Sequence, residues 1–155
     1  MTSRRTFITQ SALAFTALSA SRVMGANEKI RIASIGLGGQ GNGNAGRMAK
    51  VPGVEIVYLC DPDTVALDRA KKAFPNAKTT QDLRKVMEDK DVDAVVVSIC
   101  NHWYVLASIW AIQAGKDVSV EKPISHNIWE GRQLVNAARK HNRIVQGGTQ
   151  QRSDP

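Results

Sequence analysis

Apolar residues fall along this chain in two rhythms. From residue 29 onward, short runs that are apolar on both faces occupy 30–35, 54–59, 94–99, 118–120 and 144–145, with a weaker candidate at 77–79. Between them lie longer amphipathic segments at 43–50, 63–73, 81–88, 103–114 and 128–140. Val- and Ile-rich runs of this kind suit strands covered by helices on each side, and the alternation predicts βαβ units around a parallel sheet. Local punctuation agrees with it. Asn127, three residues ahead of Glu130, reads as a helix start of the capping-box type, and Gly115 reads as the stop of the helix before it. Leu106, Ile109, Trp110 and Gln113 fall on adjacent turns, which predicts a core position for Trp110 rather than a binding surface. No internal repeat or low-complexity tract interrupts the pattern.

Composition sets the scale of the fold. A chain of 155 residues, 43% apolar, suffices for one compact domain and falls short of two of ordinary size. The formal charge of +7 invites a nucleic-acid reading, but the first 26 residues hold three arginines and no acid, and without them the balance drops to +4. No basic stripe interleaved with aromatics is present, so the remaining Lys and Arg read as solvated helix faces and no nucleic-acid partner is expected.

Those first residues have the order of an export signal: a positive start, a moderately apolar run at 12–20, then small residues at 19–21 and at Gly25-Ala26 as cleavage candidates. The run is too short to cross a bilayer, so no membrane anchor is expected. No cysteine precedes Cys60 to carry a lipid near the cleavage site. Ser3-Arg4-Arg5-Thr6-Phe7-Ile8 closely resembles the bacterial twin-arginine signal, in which two arginines precede Phe and another apolar residue. The expectation is a cleaved signal at 1–26, a dinucleotide-binding domain at 27–153 and a periplasmic destination.

The first strand runs directly into Gly36-Leu37-Gly38-Gly39-Gln40-Gly41, a G-x-G-x-x-G that opens a helix and is followed by a second strand ending at Asp61. Glycines often mark a turn and nothing more. With strand, loop, helix and acid in order, the four parts of the dinucleotide fingerprint are present. Gly36 permits the tight turn, Gly38 lets the backbone approach a pyrophosphate, and Gly41 lets the helix pack closely on the strand. Leu37, Gly39 and Gln40 complete a loop whose helix offers unpaired N–H groups to phosphate. Asp61 is placed to accept hydrogen bonds from the adenosine ribose; its distance from Gly36 exceeds the usual ~20 residues, which a longer helix or loop can absorb. A carboxylate there repels a 2′-phosphate, and Pro62 and Asp63 supply no arginine to receive one, so NAD is expected over NADP; Arg69, in the next helix, argues weakly the other way.

Two further strand ends carry chemistry: Ser98-Ile99-Cys100-Asn101-His102-Trp103-Tyr104 and Glu121-Lys122-Pro123. In an open α/β sheet, ligands gather at the carboxyl ends of strands. Each stretch also has a plain reading, His102 as a helix-start residue and Glu-Lys-Pro as a charged strand exit. Together with the glycine loop, they resemble the Gfo/Idh/MocA oxidoreductases, named for glucose-fructose oxidoreductase and inositol dehydrogenase. The resemblance covers about 29–153, including Asp61, Asn101-His102-Trp103 and the run from Gly115-Lys116-Asp117-Val118 to Glu121-Lys122-Pro123. Gly148-Thr149-Gln150-Gln151-Arg152-Ser153 looks like exported bacterial members.

The resemblance implies an α/β fold, a Rossmann doubly wound parallel sheet holding NAD(H). Asn101, His102, Glu121 and Lys122 would lie at the cofactor, with Lys122 near the nicotinamide and the substrate carbon, and His102 as a second catalytic candidate. A lysine there can hydrogen-bond a substrate hydroxyl and assist proton movement. The implied reaction is hydride transfer on a sugar or polyol; NAD-assisted glycoside cleavage, also known in the family, and a non-catalytic NAD-binding subunit or remnant are the alternatives. No metal ligand set is expected. Ile99-Cys100 stands where the family usually has Thr-Pro, and Tyr104 where it often has a second His. Family members continue into a second α/β domain with most substrate contacts and the oligomer interface, and this sequence stops at Pro155. A fragment, a split protein completed by another chain, and a stand-alone module are the three readings that leaves open; a homo-oligomer or a completing chain is the expected partner. Finally, Cys60 and Cys100 sit at the ends of strands expected to flank the first one, about 9 to 10 Å apart and beyond disulfide reach, which predicts two free thiols.

Overall fold

The computed structural model describes residues 29–149. The expected signal at 1–26 and the 150–153 part of the late stretch lie outside the described residues. Six strands, β1 (Ile30–Ile35), β2 (Val54–Cys60), β3 (Lys78–Thr80), β4 (Ala94–Val97), β5 (Asp117–Glu121) and β6 (Val145–Gly148), form one sheet in the order β3-β2-β1-β4-β5-β6. Each neighbouring pair is parallel. Helices α1 (Gly39–Met48), α2 (Thr64–Ala73), α3 (Leu83–Glu88), α4 (Tyr104–Gln113) and α5 (Ile128–His141) provide the crossovers, with a 3₁₀ turn at Asn101–Trp103 before α4.

The strands are apolar on both faces because both faces are covered. On one side Ile32, Ile56, Leu59 and Val96 pack against Leu37 and the α2 residues Ala66, Leu67 and Ala70. On the other, Ala33, Ile35, Tyr58, Val95, Val97, Val118 and Val120 meet Val86 of α3, Val105, Ala107, Ala111 and Ile112 of α4, and Leu134 of α5. Helices on both faces of a parallel sheet whose order reverses beside β1 make the doubly wound fold expected from the sequence.

Punctuation behaves as read. The Asn127 side chain accepts from the Glu130 N–H at 2.9 Å at the start of α5. Gly115, at φ +78°, terminates α4, with the Lys116 N–H reaching back to the Ala111 carbonyl at 2.9 Å.

Three expectations need correction. The first helix begins at Gly39 rather than 43, inside the glycine loop. Strand β4 ends at Val97, two residues early, because the Ser98 N–H makes a last bond to Ile35 O at 2.8 Å before the chain turns away. Trp110 is half-buried, edge-on to Trp103 at 6.2 Å, while the packed face of α4 is carried by smaller residues, Ala107, Ser108, Ala111 and Ile112. Close approach of a helix to a sheet favours small side chains, which hydrophobic periodicity alone ranks too low.

The long spacing to Asp61 also finds part of its explanation. Ile32 pairs with Ile56 but Ala33 with Tyr58, so Val57 is an extra residue bulged out of β2. Val57 and Tyr58 consequently both contribute to the α4 side of the sheet, while Ile56 and Leu59 share the other. Cys60 is a buried and Cys100 an exposed free thiol. Among the described residues, no helix is long and apolar enough to cross a membrane.

Candidate functional site

Strand β1 delivers the chain to the carboxyl edge of the sheet at Gly36, whose N–H donates to Cys60 O at 2.8 Å. Gly36 has φ +87°, and a Cβ on it would stand 2.5 Å from the Ser98 carbonyl oxygen. At Gly41 a Cβ would stand 1.9 Å from Gly36 O. These two positions are glycine because neighbouring backbone fills the space a side chain needs. Gly38 and Gly39 are different. A Cβ at either meets nothing within 4 Å, so the protein leaves the front of the loop open.

That opening faces the start of α1. Gly38 is the N-cap and supplies no side-chain hydrogen bond, and the first turn holds no acid. Uncapped N–H groups and the positive end of a helix dipole, behind glycines with room before them, match an anion of pyrophosphate size. The residues present therefore fit a dinucleotide, which Gly36, Leu37, Gly38, Gly39, Gln40 and Gly41 would cradle.

Asp61 follows β2 and reaches back to this loop. Its Oδ2 accepts from the Leu37 N–H at 2.6 Å and its Oδ1 from the Asp63 N–H at 2.9 Å. A carboxylate has about four lone-pair directions, so two remain for ribose hydroxyls. The Arg69 guanidinium donates to the Leu37 carbonyl at 3.1 Å, which pins the other side of the same residue. Below the acid, burial first and then Asp61 and Asp82 push the Cys60 thiol up to about 12. It is inert packing, not a nucleophile.

The second cluster gathers on the neighbouring strands. Asn101 and His102 lie exposed on the 3₁₀ turn after β4, and Lys122 lies exposed after β5, beside it in the sheet. Among the described residues no ion pair involves Lys122 or His102. Tyr104 is buried; burial, followed by the charge of Glu121 and Cys100, pushes its phenol up.

Glu121 is buried and points inward. Its Oε1 accepts from Asn44 Nδ2 at 2.8 Å and from Gln40 Nε2 at 3.2 Å, and its Oε2 from the Lys122 N–H at 3.2 Å. Asn44 also donates to Ser98 Oγ at 3.0 Å and accepts from Arg47 Nη2. Sequence reasoning missed Asn44 and Arg47 and gave Ser98 no role of its own. A signal existed for the first: Asn44 falls one turn after Gln40, on the face of α1 that must pack against the sheet, where an unpartnered amide would be costly.

The run Gly115-Lys116-Asp117 belongs elsewhere. Lys116 is buried at the opposite edge of the sheet, donating to Asp89 O at 2.6 Å and Val92 O at 3.0 Å. Burial pulls its ammonium below the ordinary lysine range, with Asp89 and Asp93 opposing. It is a structural lysine. Among the described residues no group of three His, Cys, Asp or Glu could hold a metal ion.

Known proteins share this fold. Residues 30–149 match the model of the Gfo/Idh/MocA oxidoreductase family, NAD-binding Rossmann fold. The chain is 30% identical over 131 residues to inositol 2-dehydrogenase 4 of Saccharopolyspora erythraea, covering 83% of this chain and 39% of that protein. It is likewise 30% identical over 120 residues to a glycosyl hydrolase family 109 protein of Shewanella woodyi, covering 72% of this chain and 26% of the relative. Among solved structures, apo scyllo-inositol dehydrogenase from Lactobacillus casei superposes with a TM-score of 0.78 at 27% identity, over 83% of this chain and 39% of that one. The chain thus spans between about a quarter and two-fifths of the length of these relatives. The match over residues 30–149 places the chain, with NAD as cofactor, in the Gfo/Idh/MocA oxidoreductase family as an NAD-binding Rossmann domain.

Proposed function

We propose that this domain serves an oxidoreductase that moves hydride between NAD and a carbon bearing a hydroxyl in a sugar or polyol. One observation carries the reading: the open glycine cradle and Lys122 stand at the same edge of the sheet, joined through Gln40, Asn44 and Glu121. Bound NAD supplies the hydride acceptor. Lys122 then holds the substrate hydroxyl by hydrogen bonding and assists transfer of its proton, with His102 as a second polar group beside it. Asp61 selects NAD over NADP through the ribose hydroxyls. Likeness to two inositol dehydrogenases supports a polyol substrate.

A second reading, NAD-assisted glycoside cleavage, draws support from the glycosyl hydrolase relative. Here oxidation and re-reduction would cancel over a cycle. The test is to incubate the purified chain and NAD with a panel of polyols and nitrophenyl glycosides. Polyol-dependent NADH formation supports the first reading, and nitrophenol release without net NADH the second. NAD binding with neither product, relieved by adding a second polypeptide, would identify a non-catalytic subunit.

Twin-arginine export to the periplasm belongs to the same proposal. That route carries folded proteins, and a domain needing NAD must acquire it before leaving the cytoplasm. Replacing Arg4 and Arg5 with Lys should hold the chain in the cytoplasm; unchanged periplasmic recovery would remove this part. A homo-oligomer, or a completing chain, is the proposed state of assembly, checked by light scattering.

A further inference from the structure

Asn44 sits on α1, one turn beyond the glycine loop, with only 9% of its surface exposed. A buried side-chain amide offers two donors and two acceptor sites, and leaving any unmade is costly. Here the donors go to Ser98 Oγ and Glu121 Oε1, and the carbonyl accepts from Arg47 and, at 3.4 Å, from Gln40 Nε2. Three elements of the site therefore meet at one residue: the phosphate-binding helix, the end of β4 and the end of β5.

Glu121 explains why such a residue is needed. Glu121 is only 5% exposed, and a buried carboxylate demands hydrogen-bonding partners. Asn44 and Gln40, both from the α1 region, bind one oxygen, while the other receives the backbone N–H of Lys122. The lysine's main chain is thus held by a carboxylate whose orientation is set from the helix that cradles phosphate. Charge-assisted hydrogen bonds of this kind are the stronger and more directional ones.

We propose that Asn44 is a positioning residue: by orienting Glu121 it fixes the Lys122 backbone relative to the cradle, so that lysine and dinucleotide keep one geometry. Gln40 adds a lesser share from within the loop. The inference rests on the reading that Lys122 lies at the cofactor.

Its test follows the lysine directly. Lysines of the full chain are ¹³C-dimethylated, the Lys122 signal is assigned with Lys122→Arg, and NAD is titrated while affinity is measured by calorimetry. In the unaltered chain, NAD shifts the Lys122 signal. In Asn44→Ala the affinity changes by less than about threefold, because the cradle donors are backbone N–H groups, but the shift is lost. Gln40→Ala, at an exposed position, reduces the shift even at saturating NAD and decides the matter should Asn44→Ala fail to fold. A full Lys122 shift in both variants would overturn the positioning role and leave the oxidoreductase reading standing. A Lys122 signal unmoved by bound NAD in the unaltered chain would overturn both. If turnover is found, Asn44→Ala should lower kcat with little change in KM for NAD, a split that general loosening of the fold would not give.

Discussion

At the amino ends of the strands, charge meets its partner directly. Arg31 bridges Asp91 at 2.9 Å and Asp93 at 3.4 Å, Lys78 meets Asp89 at 2.7 Å, and Lys116 is spent on two carbonyls. At the carboxyl ends the carboxylates of Asp61 and Glu121 are held instead by backbone N–H and amide groups, while the glycine loop stands open. One edge is closed electrostatically and the other is organised to receive a ligand. The contrast shows how a symmetric-looking sheet acquires a working side: the same charged residue types are neutralised on one edge and oriented on the other.

The comparison can be broken by substitutions at each edge. Gly41→Ala should do most, since its methyl meets the Gly36 carbonyl; we expect a loss of about 3 kcal/mol by urea denaturation and no measurable NAD binding. Lys116→Ala, at the other edge, should cost about 2 kcal/mol by leaving buried carbonyls without a charged donor, yet leave NAD affinity unchanged. A parallel fall in affinity would mean that the two edges are not independent. Gly38→Ala reverses that pattern. With open space before it the fold should hold, while NAD affinity drops at least about tenfold, or ~1.4 kcal/mol, by calorimetry. Asp61→Ala should weaken NAD more than NADP, by about 1 kcal/mol in the difference; equal losses would contradict selection through the ribose.

The smallest effect separates the thiols. Cys100 should react with a thiol reagent in the native chain, and Cys60 only on unfolding. Between the ordinary thiol value of 9.0 and about 12, the unfolded chain ionises Cys60 while the folded chain does not. Its contribution to stability is therefore complete below that window and declines as pH rises through it. Cys60→Ala should flatten the decline in denaturation midpoints measured across it.

Much of the fold was legible because strands buried on both faces leave an unambiguous apolar signature, with the glycine loop directly after the first strand and the acid directly after the second. Helix α1 was not legible at its start. Four of its ten residues are glycine, so propensity argues against it, and packing of Gly41 on Gly36 overrides propensity. Asn44 escaped for a related reason: its importance lies in partners 54 and 77 residues away, which no local pattern reveals. Lys116 shows the converse, since a motif can mark a family through a residue that only supports the fold.

The bulge at Val57 bears on how this chain can change length. Strands ordinarily resist insertion or deletion, because a one-residue slip exchanges their inner and outer faces. Here the pairs on either side of Val57 already match β1, and β3 begins to pair only at Tyr58. Removing Val57 would restore an unbroken ladder without moving Asp61 relative to Gly36. The second strand thus carries an extra residue, a place where descendants of this sequence could shorten while Asp61 keeps its station beside Leu37.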